Sequence, residues 1–286
     1  MTYDYHTHTN FSDGLLDPEE LILLASKKKI KSISVTDHDS ISNYSRVKEA
    51  CEKYNIELIK GIEISSWYKG RDVHLLAYFE KEDDYLKLAV LEEKRKTERI
   101  NRLYLICENL KSMDVIIDPD EMIDSENNHG IIGRPHVASL IIKKGYAKNQ
   151  IEVFTKYLGN DKPGYVPTTY DSTLEMIKLV NDCNGLPVIA HPGNFFIDNP
   201  DELLVLIEAG LQGIECFHHS HNSSKVDEYL KLAKIHNLIV TGGSDFHGIR
   251  HRKKDKLRHI PLTEEQYITF KKRLYLCSEK NSIKTV

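Results

Sequence analysis

What the sequence lacks limits the class of protein that it can encode. The chain has 286 residues but only five cysteines, which are widely spaced and form no Cys-x-x-Cys pair. This spacing excludes a disulfide framework and a zinc site built on cysteine pairs. No apolar run approaches the ~20 residues that a membrane-spanning helix needs, and the first residues lack an apolar signal region. We therefore expect a soluble, cytoplasmic protein that binds no membrane.

Several common motifs of phosphate and acyl transfer are also absent. The sequence has no Gly-x-x-x-x-Gly-Lys phosphate loop, no Gly-x-Ser-x-Gly nucleophile elbow and no dinucleotide fingerprint. Its net charge of -4 argues against a general nucleic-acid coat protein, although a local basic patch is compatible with that charge. The abundant residue of chemical interest is histidine, with 14 copies.

Short apolar runs alternate with amphipathic stretches along most of the chain, which predicts strands alternating with helices. The predicted strands are Tyr3–His6, Ser32–Thr36, Ile56–Ile64, Val73–Phe79, Leu186–Ala190, Gly213–Cys216 and Leu238–Thr241. The predicted helices between and after them are Pro18–Lys28, Ile41–Tyr54, Pro200–Ala209, Lys225–His236 and Glu264–Tyr275. Seven strands with helical connections indicate an α/β fold with a mainly parallel sheet that closes, or nearly closes, into a barrel.

The region from residue 81 to residue 167 has a different pattern. It begins with a long, highly charged helical pattern at Leu86–Lys111. Shorter helical segments follow at Pro119–Ser125, Pro135–Lys144 and Asn149–Tyr157, without a comparable strand pattern. We therefore predict a barrel formed by residues 1–80 and 168–286, with residues 81–167 as an inserted, mainly helical domain.

Histidines and acidic residues occur within the predicted strands or where they end. His6 and His8 are two residues apart in a strand, so both side chains project from the same face. Glu63 lies in an otherwise apolar strand, where an unpaired carboxylate is strongly disfavoured. The candidate metal ligands are His6, His8, Asp13, His38, Glu63, His74, His191, Asp245 and His247. Because active sites of barrels form at the carboxyl ends of the strands, one metal cluster explains all of these residues together.

The ligand types narrow the chemistry. Nitrogen and oxygen ligands without thiolates suit manganese, iron or zinc better than copper or an iron–sulfur cluster. The set is too large for one ion and fits two or three divalent ions. Neighbouring divalent ions can clamp both the attacking and the leaving oxygen of a phosphate. Metal-assisted hydrolysis is therefore the predicted chemistry.

These motifs resemble, in order and over nearly the whole chain, those of the PHP (polymerase and histidinol phosphatase) superfamily. The matching runs are His6-Thr7-His8, Ser12-Asp13-Gly14, Thr36-Asp37-His38, Gly61-Ile62-Glu63, His191-Pro192 and Gly243-Ser244-Asp245-Phe246-His247. The closest resemblance is to bacterial members that act as 3',5'-nucleotide bisphosphate phosphatases and trim short RNAs from the 5' end. The segments that carry it are Gly133-Arg134-Pro135-His136, Tyr165-Val166-Pro167 and Gly213-Ile214-Glu215 followed by His218 and His221.

The resemblance implies a distorted seven-stranded (β/α)7 barrel, a helical domain at 81–167 that caps the substrate, and two or three metal ions. Manganese is the expected ion, with iron and zinc as alternatives. The implied ligands of a first ion are His6, His8, Glu63 and Asp245. Those of a second ion are Asp13, His38 and His247. Those of a third ion are His74 and His191, with Glu63 as a bridge.

The resemblance also assigns residues to the substrate. Arg134 and His136 are expected to bind phosphate and to act in catalysis. His218 and His221 are further candidates for binding phosphate or protonating a leaving group, and His221 is preferred for catalysis. A basic run could attract a polyanionic substrate such as a short oligonucleotide. It consists of Arg250, Arg252, Lys253, Lys254, Lys256 and Arg258.

The predicted reaction is removal of the 3'-phosphate of a nucleoside 3',5'-bisphosphate, with the 5' end of a short RNA as a second substrate. No obligate protein partner is expected. Three alternatives remain at this point: a histidinol-phosphate phosphatase, a non-catalytic regulatory or binding protein with the same fold, and an amidohydrolase on a related barrel.

Overall fold

The computed structural model describes residues 2–123, 132–194, 200–248, 256–258 and 260–279. Strands in this part of the chain form a three-stranded sheet and a five-stranded sheet. The first sheet contains β1 (Tyr3–Asp4), β2 (Ser32–Ile33) and β3 (Glu57–Leu58). The second contains β4 (Lys60–Tyr68), β5 (Arg71–Phe79), β6 (Leu186–Ile189), β7 (Gly213–Phe217) and β8 (Ile239–Gly242).

The prediction of an α/β fold with a parallel sheet is confirmed, but a single barrel of seven strands is not. The strands of the first sheet are parallel, as are β6, β7 and β8, whereas β5 is antiparallel to both β4 and β6. The turn between β4 and β5 explains the reversal. Its two residues, Lys69 and Gly70, have φ values of 47° and 82°. Positive φ at both positions is typical of a tight hairpin turn.

The predicted helices are present with small shifts of their ends, and two further helices, at Glu82–Leu86 and Thr173–Asp182, were not predicted. In chain order they are α1 (Pro18–Lys27), α2 (Tyr44–Tyr54), α3 (Glu82–Leu86), α4 (Ala89–Lys111), α5 (Asp120–Ile123), α6 (Arg134–Lys143), α7 (Gln150–Val153), α8 (Thr173–Asp182), α9 (Pro200–Glu208), α10 (Ser223–Ile235) and α11 (Glu264–Glu279). A π-helical turn, Phe154–Leu158, continues α7. Among the helices described, none is long and apolar enough to cross a membrane.

Helix ends are set by local capping. The Asp17 carboxylate accepts a hydrogen bond from the backbone N–H of Glu20 at the start of α1, and Pro18 occupies the first helical position. Helix α8 was not predicted, although Ser172 and Glu175 form a capping box at its start. This motif is visible in the sequence as Ser-x-x-Glu before an apolar pattern.

Strand β5 is buried on both faces. Leu75 and Ala77 belong to one apolar cluster, and Leu76 and Tyr78 belong to another on the opposite face. This alternation follows the two-residue period of a strand. The second half of the strand is therefore a continuous apolar run in the sequence. His74 lies in the same strand, just before this run.

Helix α4 connects two cores. Leu88, just before the helix, and Leu91 in its first turn pack into the cluster around the five-stranded sheet. Its second half contributes Leu103 and Leu110 to a separate apolar cluster formed by residues 103–158. The predicted segment Pro119–Ser125 corresponds to α5, but Ser125 lies outside the described residues, as do Arg250, Arg252, Lys253 and Lys254.

A pair of substitutions in α4 tests the separate apolar cluster. Leu103 is 1% exposed and Leu105 is 51% exposed. We expect Leu103→Ala to lower the free energy of unfolding by about 2–5 kcal/mol, because it leaves a cavity in the core. Leu105→Ala should change it by less than about 0.5 kcal/mol. Urea unfolding followed by circular dichroism measures both, and equal effects would contradict this description of the cluster.

Candidate metal centre and adjoining arginine pocket

The predicted metal ligands all lie at one rim of the two sheets. His6 and His8 follow β1, His38 follows β2, and Glu63 and His74 lie in the hairpin strands β4 and β5. His191 follows β6, and Asp245 and His247 follow β8. Backbone bridges between Thr7 and Phe246, and between His38 and Glu63, bring the two sheets together at this rim. Residues far apart in sequence thus share one site.

The fully buried carboxylate of Glu63 is the centre of the cluster. Its Oε2 lies 2.9 Å from Nε2 of His6 and 3.2 Å from Nε2 of His8. Its Oε1 lies 2.9 Å from Nδ1 of His74 and 3.0 Å from Nε2 of His191. One carboxylate therefore contacts four imidazoles, and Oε2 contacts a fifth, as described next.

Asp13, His38, His247 and Asp245 complete the cluster. Nδ1 of His38 lies 3.3 Å from Oε2 of Glu63. Nε2 of His247 lies 3.2 Å from Oδ1 of Asp13, and Nε2 of His8 lies 3.1 Å from Oδ1 of Asp245. Acidic and imidazole side chains alternate throughout this part of the rim.

The charges of these groups are strongly coupled. Burial alone would raise the pKa of Glu63, but the neighbouring His6, His38 and His74 hold it well below its usual range. Burial alone would lower the pKa of His8, yet hydrogen bonds with Asp245 and Glu63 raise it to about 10. The neighbouring imidazoles thus favour the ionised form of the Glu63 carboxyl. A bound cation would favour it in the same way.

The geometry fits a divalent metal. Groups of side chains each present nitrogen or oxygen atoms within 4.8 Å of one another. The groups are His6, His8, Glu63, Asp245; then His8, Asp13, His38, His247; then His38, Glu63, His74; and, not predicted as ligands except for Asp245, the group His218, His219, Asp245. Imidazole and carboxylate ligands without thiolates suit manganese, iron and zinc. The first group equals the ligand set expected for the first ion, and the second and third groups overlap the expected sets without reproducing them.

The predicted substrate residues Arg134 and His136 line a cavity of about 150 Å³ that Asp13, His38 and His74 also line. Nη1 of Arg134 donates a hydrogen bond of 2.9 Å to Oδ1 of Asn160. Its guanidinium lies over the Tyr165 ring, 5.3 Å from the centroid. The structure therefore brings Arg134 and His136 to the edge of the candidate metal centre.

Two further arginines of this cavity, Arg99 and Arg102, were not predicted. Nη2 of Arg99 donates to Oδ2 of Asp39 at 2.5 Å. Nε of Arg102 donates to the carbonyl of Val166 at 2.8 Å, and burial together with the charges of Arg134 and Arg99 lowers its pKa. Among the described residues, Arg102 and Arg134 form no ion pair with a carboxylate. The spacing of Arg95, Arg99 and Arg102 along α4, which places them on one helix face, was the available signal.

His218 and His221 lie on the other side of the cluster and do not line this cavity. Nδ1 of His221 lies 2.9 Å from the carbonyl of Cys216, and Nε2 accepts a hydrogen bond of 3.2 Å from the Gly193 N–H. Nε2 of His218 lies 3.3 Å from Oδ2 of Asp245. Both rings are thus engaged by the protein, and a substrate role for these two residues stays a prediction.

The PHP domain family matches residues 4–160, more than half of the chain, and the chain belongs to this family. It is 29% identical over 255 residues to the 5'-3' exoribonuclease Rnm of Escherichia coli, covering 86% of this chain and 85% of that protein. It is also 29% identical over 247 residues to the 3',5'-nucleoside bisphosphate phosphatase of Chromobacterium violaceum, covering 85% and 86%.

A solved structure gives a consistent result. A protein of Bifidobacterium adolescentis described as a metal-dependent phosphoesterase superposes with a TM-score of 0.81 at 27% identity, covering 95% of this chain and 96% of that one. The predictions of the family and of a metal-dependent phosphoester hydrolase are confirmed.

Substitution of Glu63 tests the centre of the cluster. We expect Glu63→Gln to lose divalent metal, because an amide cannot supply two anionic oxygens to the surrounding imidazoles. Metal content after dialysis, measured by mass spectrometry, is the readout. Glu57→Gln, on the neighbouring strand β3 and outside the cluster, is the matched control. Equal metal content in the wild type and Glu63→Gln would contradict the central position of Glu63.

Proposed function

We propose that the chain removes the 3'-phosphate of nucleoside 3',5'-bisphosphates and also acts on the 5' ends of short RNAs. The observation that carries this proposal is the shared cavity, which is lined both by candidate metal ligands and by Arg99, Arg102 and Arg134. A substrate with two phosphates needs both kinds of contact. The two relatives described above are named for these substrates.

The nine predicted ligands would hold two or three divalent ions, with manganese as our first choice and iron or zinc as alternatives. When bound, such ions activate water and neutralise charge on the phosphate. Glu63 would be shared between ions, since Oε2 faces three imidazoles and Oε1 faces two others. A cytoplasmic location and the absence of an obligate protein partner stay predictions from the sequence.

The arginines would bind and orient the substrate. The planar guanidinium of Arg134 matches two phosphate oxygens at once, and the Tyr165 ring and Asn160 hold it in place. His136 would contact the phosphate from the start of α6. Arg102 carries a half-buried charge that no described carboxylate neutralises. A phosphate group is the anion that we propose for this position.

We also propose the predicted division of the chain, with a barrel at 1–80 and 168–286 and a cap at 81–167. The separate apolar cluster of residues 103–158 supports the cap. The barrel would have seven strands if β3 and β4 are one strand interrupted at Ile59, since β3 pairs with β2 and β4 pairs with β5. The hydrogen bond from the Tyr5 N–H to the Gly242 carbonyl, 3.2 Å long, would close it.

A panel of substrates tests the proposed reaction. Phosphate release is measured from adenosine 3',5'-bisphosphate and histidinol phosphate, and mononucleotide release from a short 5'-phosphorylated RNA, in Mn²⁺ and after chelation. We expect metal-dependent release from the bisphosphate, and its loss in His191→Ala. Activity on histidinol phosphate alone would contradict the proposed substrate but support the proposed hydrolysis of a phosphate ester. Inactivity of the folded, metal-loaded protein on all three would favour a binding role.

Arginine substitutions test the second phosphate. We expect Arg102→Met to lower kcat/KM for adenosine 3',5'-bisphosphate by about 10–100-fold, because the variant loses one charge-assisted hydrogen bond to the substrate. For adenosine 3'-monophosphate the loss should be much smaller, because the second phosphate is missing. Arg273→Met, in α11, is the control and should change neither value. Equal losses on both nucleotides would place Arg102 at the reacting phosphate instead.

A further inference from the structure

Glu215 is a buried carboxylate next to the metal candidates that is not itself in any candidate ligand group. It lies in β7 and is fully buried. Its neighbours in the strand, Ile214 and Cys216, pack into the apolar cluster around the five-stranded sheet. Because side chains alternate along a strand, Glu215 points to the opposite face, toward the interior of the rim.

Each oxygen of Glu215 has a different partner. Oε1 lies 3.1 Å from Nδ1 of His6. Oε2 accepts a hydrogen bond of 2.7 Å from the backbone N–H of His191. Both partners contact Glu63 with their Nε2 atoms, His6 at Oε2 and His191 at Oε1. Glu215 thus connects two residues that face different oxygens of Glu63.

The contact with His6 decides which ring nitrogen carries the proton. An ionised carboxylate only accepts hydrogen bonds, so Nδ1 of His6 must donate to it. In the neutral ring, Nε2 then keeps its lone pair, and this atom faces Glu63 and Asp245. Histidine ligands of metals commonly donate their other N–H to a carboxylate, which fixes the tautomer and the ring orientation.

The contact with His191 acts on the backbone. His191 has a φ of 29°, which is uncommon for a residue with a side chain. Such a conformation persists only where surrounding contacts hold it. The hydrogen bond from the His191 N–H to Glu215 is one such contact, and it holds the backbone from which the His191 ring extends.

We propose that Glu215 is a positioning residue that prepares His6 and His191 for metal binding on the two sides of Glu63. This inference rests on the proposed metal centre. It adds a residue that is not itself a ligand and that acts on one neighbour through its ring and on the other through its backbone.

The chemistry of an amide makes Glu215→Gln a specific test. The His191 N–H can only donate, so the amide oxygen must face it. The amide NH₂ then faces Nδ1 of His6, which has to become the acceptor. The proton of the neutral ring moves to Nε2 and blocks the lone pair that would bind metal. The shape of the side chain is almost unchanged.

The experiment is a titration of the metal-free full-length protein with Mn²⁺, with free Mn²⁺ followed by electron paramagnetic resonance. We expect Glu215→Gln to bind its tightest Mn²⁺ about 10–100-fold more weakly than the wild type. Glu215→Asp, which keeps the charge but is too short to span both partners, should weaken binding in the same direction. Asp84→Asn is the control, because Asp84 is a buried carboxylate that binds Asn184 away from the cluster. Thermal unfolding of each metal-free variant verifies that it folds.

A double-mutant cycle separates positioning from a general structural role. If Glu215 acts through His6, the loss of Mn²⁺ affinity in His6→Ala combined with Glu215→Gln will be smaller than the sum of the single losses. Full additivity, or wild-type affinity in both Glu215 variants, would overturn the inference alone. A wild-type protein that binds no Mn²⁺ would overturn the proposed metal centre with it.

Discussion

The buried carboxylate of Glu63 is the constraint on which the rest of the site depends. An ionised carboxylate without a partner is very costly to bury, and here it lies between five imidazoles from four segments of the chain. Three of these segments follow β1, β2 and β6, and the fourth is β5 itself. The strand ends must therefore meet at one rim, because the charge of Glu63 is compensated only when they do. The same interaction therefore constrains both the arrangement of the strands and the geometry of the site.

Helix α4 connects the candidate metal centre to the cavity that Arg99, Arg102 and Arg134 line. Arg95 is fully buried, and its Nη2 lies 3.1 Å from Oδ2 of Asp171. Arg99 pairs with Asp39, which directly follows His38 in the chain. The same helix face continues to Arg102, which has no acidic partner among the residues described. Two arginines thus hold the helix on the rim, and the next one presents its charge to the cavity.

The sequence identified candidate ligands that the structure brings together, because their signals are local. His6 and His8 show the period of a strand, and Glu63 is conspicuous in an apolar run. The hairpin of β4 and β5 was missed, although Lys69-Gly70 is a turn signal, because the runs before and after it resembled separate parallel strands. The contacts of Glu215 and Arg102 could not be predicted, since they join residues far apart in the chain and depend on backbone donors and acceptors.

The motif Thr36-Asp37-His38-Asp39 shows how outer carboxylates organise the site. Only His38 faces the cluster. Asp37 accepts hydrogen bonds from the Thr9 N–H at 2.6 Å and the Ser12 hydroxyl at 2.7 Å, and so fixes the loop that carries Asp13. Asp39 binds Arg99 of α4. A ring nitrogen or carboxylate oxygen can bind metal only if its other atoms are held, and buried carboxylates are strong acceptors for that purpose. The two acidic residues beside His38 therefore hold the surrounding loop and helix in place, which is a role distinct from binding metal.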